Sequence, residues 1–411
     1  MEVKKHIIQH FISRVCFVGS VLLVNIVFSR LLGASVSGQL YYTINNYAVF
    51  TLIASLSFES GMNYFLSKKE IDDRELVNFS LLWTLVTGCI ATLLLVCLRD
   101  FFESARVAPV FSFAFITGTL LTTYFSALLF ARQQFLFPLL VPAGTNFIII
   151  LYCGWLFLNE QGTGYESSIT SWYFLSFIVN GILLAVIYYS KYLFSFSFRW
   201  PSTETIKKLF GYSSVAFVAN LISFFAYRID YWILKAFIPR AVTENALGNY
   251  IQVAKLVQVF LFAPTIVATV VFPLTASGTI SGFDRTFKKL AGRVLLLNIV
   301  LCAFLVITGK WLFPFLFGNS FVSMYLCFVF SIPAILAITV VRVIASYFAG
   351  VNGVKYNLVG GLIALFVVVV LNFLLVPSMG INGAALADSA GYLAFAIFLL
   401  VFFKSLNKQS V

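Results

Sequence analysis

Apolar stretches of about 20 residues recur from one end of the chain to the other, and they constrain the fold more than any other feature. A transmembrane helix needs about this many apolar residues to cross the hydrocarbon core of a bilayer. We therefore predict an all-α polytopic membrane protein with twelve transmembrane helices. The twelve spans lie near residues 8–29, 39–65, 78–98, 107–130, 135–158, 172–189, 209–237, 247–275, 294–313, 321–350, 356–376 and 381–403.

The composition excludes a soluble fold and a nucleic-acid partner. Of the 411 residues, 61% are hydrophobic and 10% are charged, whereas soluble domains are roughly half apolar and a quarter charged. A nucleic-acid surface needs clustered Lys and Arg, and the 27 Lys and Arg residues of this chain are spread over its length. The net charge of +12 therefore needs another explanation.

The distribution of Lys and Arg along the chain predicts the topology. Cytoplasmic loops of membrane proteins keep an excess of these residues. With the N-terminus inside, seventeen of them fall in inner segments, five in outer segments and five inside spans. Both termini are therefore predicted to be cytoplasmic, and most of the positive charge is a topological signal. The five cations inside spans are Arg14, Arg228, Lys235, Lys255 and Arg342.

Two halves of the sequence resemble each other. An offset of 210 residues places Arg30 on Arg240, Gly38 on Gly248 and Phe50 on Phe260. Chance matching in an apolar chain is the alternative. Six spans per half give both copies the same orientation, which predicts two six-helix lobes related by a pseudo-two-fold axis along the membrane normal. The predicted domains are an N-terminal lobe (1–190), a cytoplasmic linker (191–208) that ends in a short interfacial helix, and a C-terminal lobe (209–411).

The cations at membrane depth are candidate functional residues, because each costs about 2.5–3.5 kcal/mol on insertion scales and normally faces a cavity or a partner. Arg14 and Arg342 either line a cavity or extend to the cytoplasmic headgroups. Arg228 either pairs with Asp230 or points into a cleft towards an anion, and we favour the cleft. Lys235, near the outer end of its span, is predicted to extend to the headgroups.

Span 8 carries a polar stripe that a lipid-facing surface would not tolerate. Its members are Asn249, Gln252, Lys255 and Gln258, at three-residue spacing, and Pro264 is predicted to interrupt the helix after them. The repeat places Asn45 of the first half where Lys255 lies. Polar packing between helices is one interpretation. The other is a conduit for a sugar phosphate, in which amides match hydroxyl groups and cations match phosphate.

Three carboxylates lie within spans, at Glu59, Asp230 and Asp388. A buried carboxylate can bind a proton or Na⁺, so each is a candidate for coupling transport to an ion gradient. Asp388 is equally compatible with a solvated interfacial position. We find no catalytic constellation, no metal-ligand spacing and no cofactor motif, and we therefore predict a transporter without a cofactor, apart from H⁺ or Na⁺ as a coupling ion.

Several short motifs follow one another in a characteristic order over about the whole chain. They are Arg30-Leu31-Leu32-Gly33 with Gly38; Asp230 with Gly248-Asn249-Tyr250 and Ala254-Lys255-Leu256; Phe272-Pro273-Leu274; Leu316-Phe317-Gly318; and Val376-Pro377 with Gly380-Ile381-Asn382-Gly383-Ala384-Ala385. Together they resemble the polysaccharide-transporter branch, which includes the O-antigen flippases, of the multidrug/oligosaccharidyl-lipid/polysaccharide (MOP) exporter superfamily.

That resemblance implies a flippase of the bacterial inner membrane. Its substrate would be an undecaprenyl-diphosphate-linked oligosaccharide, such as a repeat unit of O-antigen (lipopolysaccharide), capsule or exopolysaccharide, moved from the cytoplasmic to the periplasmic leaflet. The resemblance also implies alternating access around a cationic cleft, coupling to an ion gradient, and a polysaccharide polymerase and chain-length proteins as partners. The predicted headgroup site is Arg14, Arg228, Lys255 and Arg342, and the predicted sugar contacts are Asn45, Asn249, Gln252 and Gln258.

Two other functions stay open from the sequence. One is a cation-coupled transporter like the multidrug exporters, which have less cationic cavities. The other is a polytopic glycan polymerase or glycosyltransferase. Such enzymes usually need acidic or metal-binding residues on a sizeable external loop, whereas the largest predicted outer loop is 159–171.

The topology is directly testable. Reporter fusions are expected to place residues 67–77, 190–208 and 278–293 in the cytoplasm and residues 159–171 in the periplasm, because the inner segments hold most of the Lys and Arg. A fusion between Lys191 and Lys208 that reports the outer side would contradict the prediction.

Overall fold

The structure is a computed structural model that describes residues 2–98, 108–159, 165–193, 201–276, 285–351 and 353–409. The side chains of 2–11, 165, 240–241, 273, 276, 285–286 and 404–409 are not described. Three of the segments in the topology prediction are therefore only partly covered, because 160–164, 194–200 and 277–284 lie outside the described residues.

The described residues fold into helices, because in hydrocarbon a backbone must satisfy its own hydrogen bonds. The α-helices are α1 Glu2–Ser55, α2 Phe58–Ser67, α3 Asp73–Cys97, α4 Pro109–Ala131, α5 Phe137–Asn159, α6 Tyr165–Tyr188, α7 Thr203–Phe237, α8 Arg240–Phe260, α9 Phe262–Ala276, α10 Arg285–Phe317, α11 Met324–Gly350, α12 Val354–Met379 and α13 Ile381–Gln409. A π-helical turn follows α6 at Tyr189–Leu193, and a 3₁₀ turn, Asn319–Phe321, joins α10 to α11.

The prediction of an all-α polytopic membrane protein is confirmed. In the part of the chain that the structure describes, eleven helical segments are long and apolar enough to cross a membrane. The first of them, Ile12–Ser55 with 44 residues, contains most of the first and of the second predicted span. A turn was expected between these two spans; instead the helix continues and is kinked at Gly33, whose φ of 68° is readily available only to glycine.

The chain divides into two compact units. The first unit is Met1–Phe28 with Tyr42–Leu221, and the second is Ser29–Tyr41 with Ile222–Val411. These units differ from the predicted lobes at two segments, because 29–41 groups with the second unit and 209–221 with the first. The predicted interfacial helix at the end of the linker is the start of the continuous α7, where the Ser202 hydroxyl accepts the Thr205 N–H at 3.1 Å as a helix cap.

The second predicted span of the first unit is interrupted at membrane depth. Helix α1 ends at Ser55, and α2 begins after Ser57, whose φ of 54° is left-handed. The break frees carbonyl groups that need donors. Trp83 Nε1 donates to the Ala54 carbonyl at 2.7 Å, and the Tyr124 hydroxyl donates to the Ser55 carbonyl at 3.1 Å. Two large side chains from α3 and α4 therefore stabilise the interruption.

The corresponding span of the second unit is interrupted at Leu261, between α8 and α9. Pro264 explains this break, since proline has no N–H and its ring clashes with the carbonyl four residues before it, that of Phe260. Asn298 Nδ2 donates to the Phe260 carbonyl instead, at 3.2 Å. The interruption that the sequence analysis placed at Pro264 is confirmed.

Small residues let α4 and α6 pack closely in the first unit. A Cβ added at Gly118 would lie 2.2 Å from the Phe177 carbonyl carbon, and one added at Gly181 would lie 2.6 Å from Leu121 Cβ. Close backbone approach of this kind drives helix association in lipid, where burial of apolar surface contributes little.

Substitution of Gly118 by Ala is expected to lower the free energy of unfolding by about 1–3 kcal/mol, because the added methyl group overpacks a backbone contact. Thermal unfolding in detergent measures this loss. Gly144→Ala is the matched control, since nothing lies within 4 Å of a Cβ at that position of α5. Its stability is expected to be equal or higher, because alanine favours the helix by about 0.5–1 kcal/mol. Equal stability of the two variants would contradict the packing described here.

Candidate functional site

Two carboxyl groups of the second unit meet at one tyrosine hydroxyl. Tyr250 on α8 donates a hydrogen bond to Asp230 Oδ2 on α7, and its hydroxyl oxygen lies 2.7 Å from Asp388 Oδ2 on α13. Asp230 and Tyr250 are both 2% exposed. Three helices, the consecutive α7 and α8 and the distant α13, thus place two acids around a single hydroxyl group.

The number of protons limits the charge of this cluster. A tyrosine hydroxyl has one proton and donates it to one acceptor. The contact with the second carboxyl group is favourable only if that group is protonated and donates to the tyrosine oxygen, or if a cation lies between the oxygens. Two ionised carboxylates at this separation would repel each other in a medium of low dielectric constant. The arrangement is therefore suited to hold one exchangeable proton or a small monovalent cation.

A small cavity of about 50 Å³ lies beside the carboxyl groups. Its polar lining includes Tyr227, Gln258, Ser331 and Tyr392 in addition to the cluster itself. Asp230 Oδ1 is buried and has no hydrogen-bond partner among the described residues. A free acceptor beside a cavity of this size leaves room for a water molecule or an ion to reach the carboxylate.

Arg228 and Asp230 face different neighbours, because two residues along an α-helix are separated by a rotation of about 200°. The guanidinium group of Arg228 lies 5.5 Å from the centre of the Tyr231 ring, while Asp230 bonds Tyr250. The carboxylate therefore belongs to the tyrosine cluster, and the guanidinium group is half-buried on another side of α7.

The two other predicted cations of this unit also lie against tyrosine rings. The Lys255 ammonium on α8 lies over the ring of Tyr41. Arg342 on α11 is exposed and donates to the Tyr227 hydroxyl at 3.1 Å. A ring stabilises a cation through its quadrupole, but it does not cancel the charge. The three predicted cations Arg228, Lys255 and Arg342 thus each contact a tyrosine.

The amide stripe of α8 divides into packed and accessible members. Asn249 Nδ2 donates to the Ser320 carbonyl at 3.0 Å, and Gln252 Nε2 donates to the Ser29 hydroxyl at 2.8 Å; both amides are buried. Gln258 is exposed and lines the small cavity. Asn249 and Gln252 therefore pack between helices, which is one of the two interpretations of this stripe.

The remaining predicted site residues lie in the first unit. Arg14 is half-buried on α1, and Asn45 is fully buried on the same helix. Glu59 lies in the first turn of α2, just after the interruption of the helix, where negative charge is favoured by the helix dipole. Its Oε2 has no hydrogen-bond partner among the described residues.

Sequence reasoning missed the tyrosines that organise the site. Their rings or hydroxyl groups contact Arg228, Lys255 and Arg342 and the carboxyl groups of Asp230 and Asp388. Tyr227 and Tyr231 were visible as a pair at helical spacing on the same face as Arg228, and Tyr250 was part of a quoted motif. Tyr392 gave no such signal, because its role depends on a tertiary contact with Tyr227, with ring centroids 5.6 Å apart.

Comparison with known proteins gives matches over almost the whole chain. A family described as "Polysaccharide biosynthesis protein" matches residues 3–278. The lipid II flippase MurJ of Bacillus subtilis (strain 168) is 23% identical over 441 residues, which cover 96% of this chain and 80% of that protein.

Solved transporter structures share the fold. Lipid II flippase MurJ in an inward closed conformation superposes with a TM-score of 0.78 at 13% identity, covering 97% of this chain and 87% of that one. A MOP superfamily transporter from Pyrococcus furiosus gives 0.68 at 14% identity, with 98% and 95% covered. An outward-facing multidrug resistance MATE transporter gives 0.64 at 14%, with 99% and 97% covered. The MOP-type fold expected from the sequence motifs is confirmed.

The carboxylate cluster can be tested by removing its shared hydroxyl. Tyr250→Phe is expected to lower the free energy of unfolding by about 1–3 kcal/mol, because it leaves buried carboxyl groups without their donor. Tyr325→Phe is the matched control; its hydroxyl donates to the Val306 carbonyl at an exposed position, and its loss should cost less. Thermal unfolding in detergent measures both. Equal losses in the two variants would contradict the role of Tyr250.

Proposed function

We propose that this chain, which belongs to the polysaccharide biosynthesis protein family, is a flippase for an undecaprenyl-diphosphate-linked oligosaccharide. The need for a protein follows from physics, since sugar hydroxyls and a diphosphate cannot cross hydrocarbon without partners. Support comes from the family match over residues 3–278 and from the similarity to a lipid II flippase along most of both chains.

The observation that carries the proposal is the set of three cations in the second unit, each placed against a tyrosine ring. Arg228, Lys255 and Arg342 lie on α7, α8 and α11. Basic side chains bind an anion such as a diphosphate through charge-assisted hydrogen bonds. In our proposal they bind the headgroup. Arg14, in the first unit, stays a prediction from the sequence.

The sugar part of the substrate needs amides and hydroxyl groups rather than charge. Gln258 is the exposed amide of the stripe and is our first candidate for a sugar contact. Asn45, Asn249 and Gln252 are buried. They would reach a sugar only in another conformation of an alternating-access cycle, and we keep them as candidates on that condition.

We further propose that the pair of Asp230 and Asp388 couples transport to an ion gradient. Their shared contact with Tyr250 already requires a proton or a cation, and the adjacent cavity gives access to Asp230 Oδ1. The coupling ion would be H⁺ or Na⁺. Glu59 is the alternative coupling carboxylate.

The cellular setting follows from the proposed substrate. The protein would lie in the bacterial cytoplasmic membrane with both termini in the cytoplasm. It would deliver repeat units to a polysaccharide polymerase and chain-length proteins on the outer side. A multidrug-exporter function is disfavoured by the same three cations, because the cavities of multidrug exporters are less cationic.

A deletion strain tests the proposed function against the enzyme alternative. Single lipid-linked units are expected to accumulate on the cytoplasmic face of the membrane when the chain is absent. Accumulation of unpolymerised units on the outer face would instead indicate a polymerase, and the absence of any accumulation would contradict both functions.

Charge variants test the headgroup site. Arg228→Gln and Lys255→Gln are expected to lower surface polysaccharide roughly tenfold or more at unchanged membrane abundance, since each removes a charge-assisted contact. Arg228→Lys should restore export only in part, because an ammonium group cannot form a bidentate contact with a diphosphate. Lys235→Gln on the same helix is the matched control and should retain export. Normal export by the double Gln variant would reject the site.

A further inference from the structure

The first half of α7 has one side that packs against α2 and one side that does not. On the packed side, Leu209 and Ser213 are fully buried. A Cβ added at Gly61 of α2 would lie 3.2 Å from Leu209 Cδ2 and 2.8 Å from Ser213 Oγ. On the opposite side of the helix, Val215 and Val218 are exposed. Both sides belong to the first unit, which includes α7 as far as Leu221.

Asn220 lies on the packed side of α7 and is nevertheless exposed. It follows Ser213 by seven residues, which is about two turns of an α-helix and returns to the same side. It follows the exposed Val218 by two residues, which is a rotation of about 200°. The exposure of Asn220 shows that space is open to a ligand on the packed side of α7 at this position.

This open space lies deep in an apolar span. Asn220 is near the middle of α7, Thr203–Phe237, and its neighbours Val218, Leu221 and Ile222 are apolar. A polar side chain exposed at such a depth is unfavourable against lipid and normally faces a water-filled cavity or a polar partner. The space beside Asn220 is therefore suited to a polar ligand.

Ser57 orients the amide of Asn220. Asn220 Nδ2 donates to Ser57 Oγ at 2.9 Å. Ser57 is fully buried at the interruption between α1 and α2, and its own N–H donates to Ser55 Oγ at 3.1 Å. A primary amide can form four hydrogen bonds. The contact with Ser57 uses one of them, so the carbonyl oxygen and the second N–H remain to bind a ligand.

The chemistry of this amide favours a neutral ligand with many hydroxyl groups. An amide both donates and accepts hydrogen bonds, as hydroxyl and N-acetyl groups of sugars do. It carries no charge, so it contributes less to binding of a diphosphate than a basic side chain does. The amide of Asn220 therefore matches the sugar part of a lipid-linked oligosaccharide rather than its headgroup.

We propose that Asn220 binds the sugar part of the substrate and so contributes to specificity for glycosylated lipid. This role rests on the proposed function, in which the substrate carries an oligosaccharide. It adds a sugar contact in the first unit, where Asn45 is fully buried. Asn220, in contrast, is exposed and can reach a ligand in the conformation described here.

Binding of two lipids tests this role without measuring transport. The probes are undecaprenyl diphosphate that carries a disaccharide of N-acetylglucosamine and galactose, and undecaprenyl diphosphate without sugar. The full chain in detergent is titrated with each lipid, and native mass spectrometry measures the bound fraction. The readout is the ratio of the two dissociation constants, which reports the preference for the glycosylated lipid.

The wild type is expected to prefer the glycosylated lipid roughly tenfold or more. Asn220→Leu should lower this preference roughly fivefold, because the hydrogen bonds to the sugar are lost. It should leave the affinity for the sugar-free lipid unchanged, because no charge is removed. Asn220→Gln keeps the amide and should restore part of the preference. Asn220→Ala decides the question if the Leu variant does not fold.

Two further variants separate a sugar contact from a structural role. Ser57→Gly removes the partner of the amide but keeps the amide itself, and glycine readily adopts the φ of 54° at this position. It should reduce the preference less than Asn220→Leu does. Asn146→Leu is the matched control, since Asn146 Nδ2 donates to Ser20 Oγ at 3.1 Å elsewhere in the first unit. It should keep the preference of the wild type.

The role of Asn220 is overturned if Asn220→Leu keeps the full preference or weakens binding of both lipids equally. It is also overturned if Ser57→Gly or Asn146→Leu loses the preference to the same extent as Asn220→Leu. A wild type that binds both lipids equally overturns the sugar contact and leaves the flippase proposal, which the deletion strain tests separately. A wild type that binds neither lipid contradicts both.

Discussion

The absence of hydrogen-bonding solvent inside a bilayer is the constraint on which this structure depends. Each helix satisfies its own backbone, so the two interruptions at membrane depth need donors from elsewhere. Trp83 and Tyr124 supply them at the end of α1, and Asn298 supplies one at the end of α8. These side chains lie on helices that pack against the interruptions, so the local backbone and the packing of each unit stabilise each other.

The same constraint governs the charged side chains. A charge in hydrocarbon is unfavourable unless another group solvates it. In the second unit, tyrosine rings contact the cations and a tyrosine hydroxyl contacts the two carboxylates. In our proposal the cations bind an anionic headgroup, and the carboxyl pair exchanges a proton or a cation. The proposed headgroup site and the proposed coupling site are thus chemically distinct within one unit.

Much of the fold was predictable, because span length and apolar content are local properties of the sequence. The break before Pro264 was predictable for the same reason, since proline removes a donor wherever it lies. The break at Ser57 was not, because neither residue type nor spacing marks it and its stabilising donors come from α3 and α4. The kink at Gly33 differed from the expected turn, since a single glycine with positive φ redirects the helix without ending it.

The residues of the candidate site could be proposed from the sequence, but the contacts between them could not. An ionisable residue within an apolar span is recognisable from the sequence alone, and Arg228, Asp230 and Lys255 were selected by this criterion. Which side chains meet depends on helix packing, so the contact of Asp388 with Tyr250 across 138 residues had no local signal. The sequence left two interpretations of the polar stripe on α8 open, and the buried hydrogen bonds of Asn249 and Gln252 match the one in which amides pack between helices.

Gradient-driven flipping in proteoliposomes tests the central claim most directly. A fluorescent undecaprenyl-diphosphate oligosaccharide is placed in one leaflet, and its movement is followed with and without an imposed pH or Na⁺ gradient. The wild-type protein is predicted to flip the lipid faster with the gradient. Asp230→Asn is predicted to bind the lipid yet lose this acceleration, since an amide cannot exchange a proton. Flipping by Asp230→Asn with unchanged gradient dependence would contradict the proposed coupling site, and the absence of flipping by the wild type under any gradient would contradict the function itself.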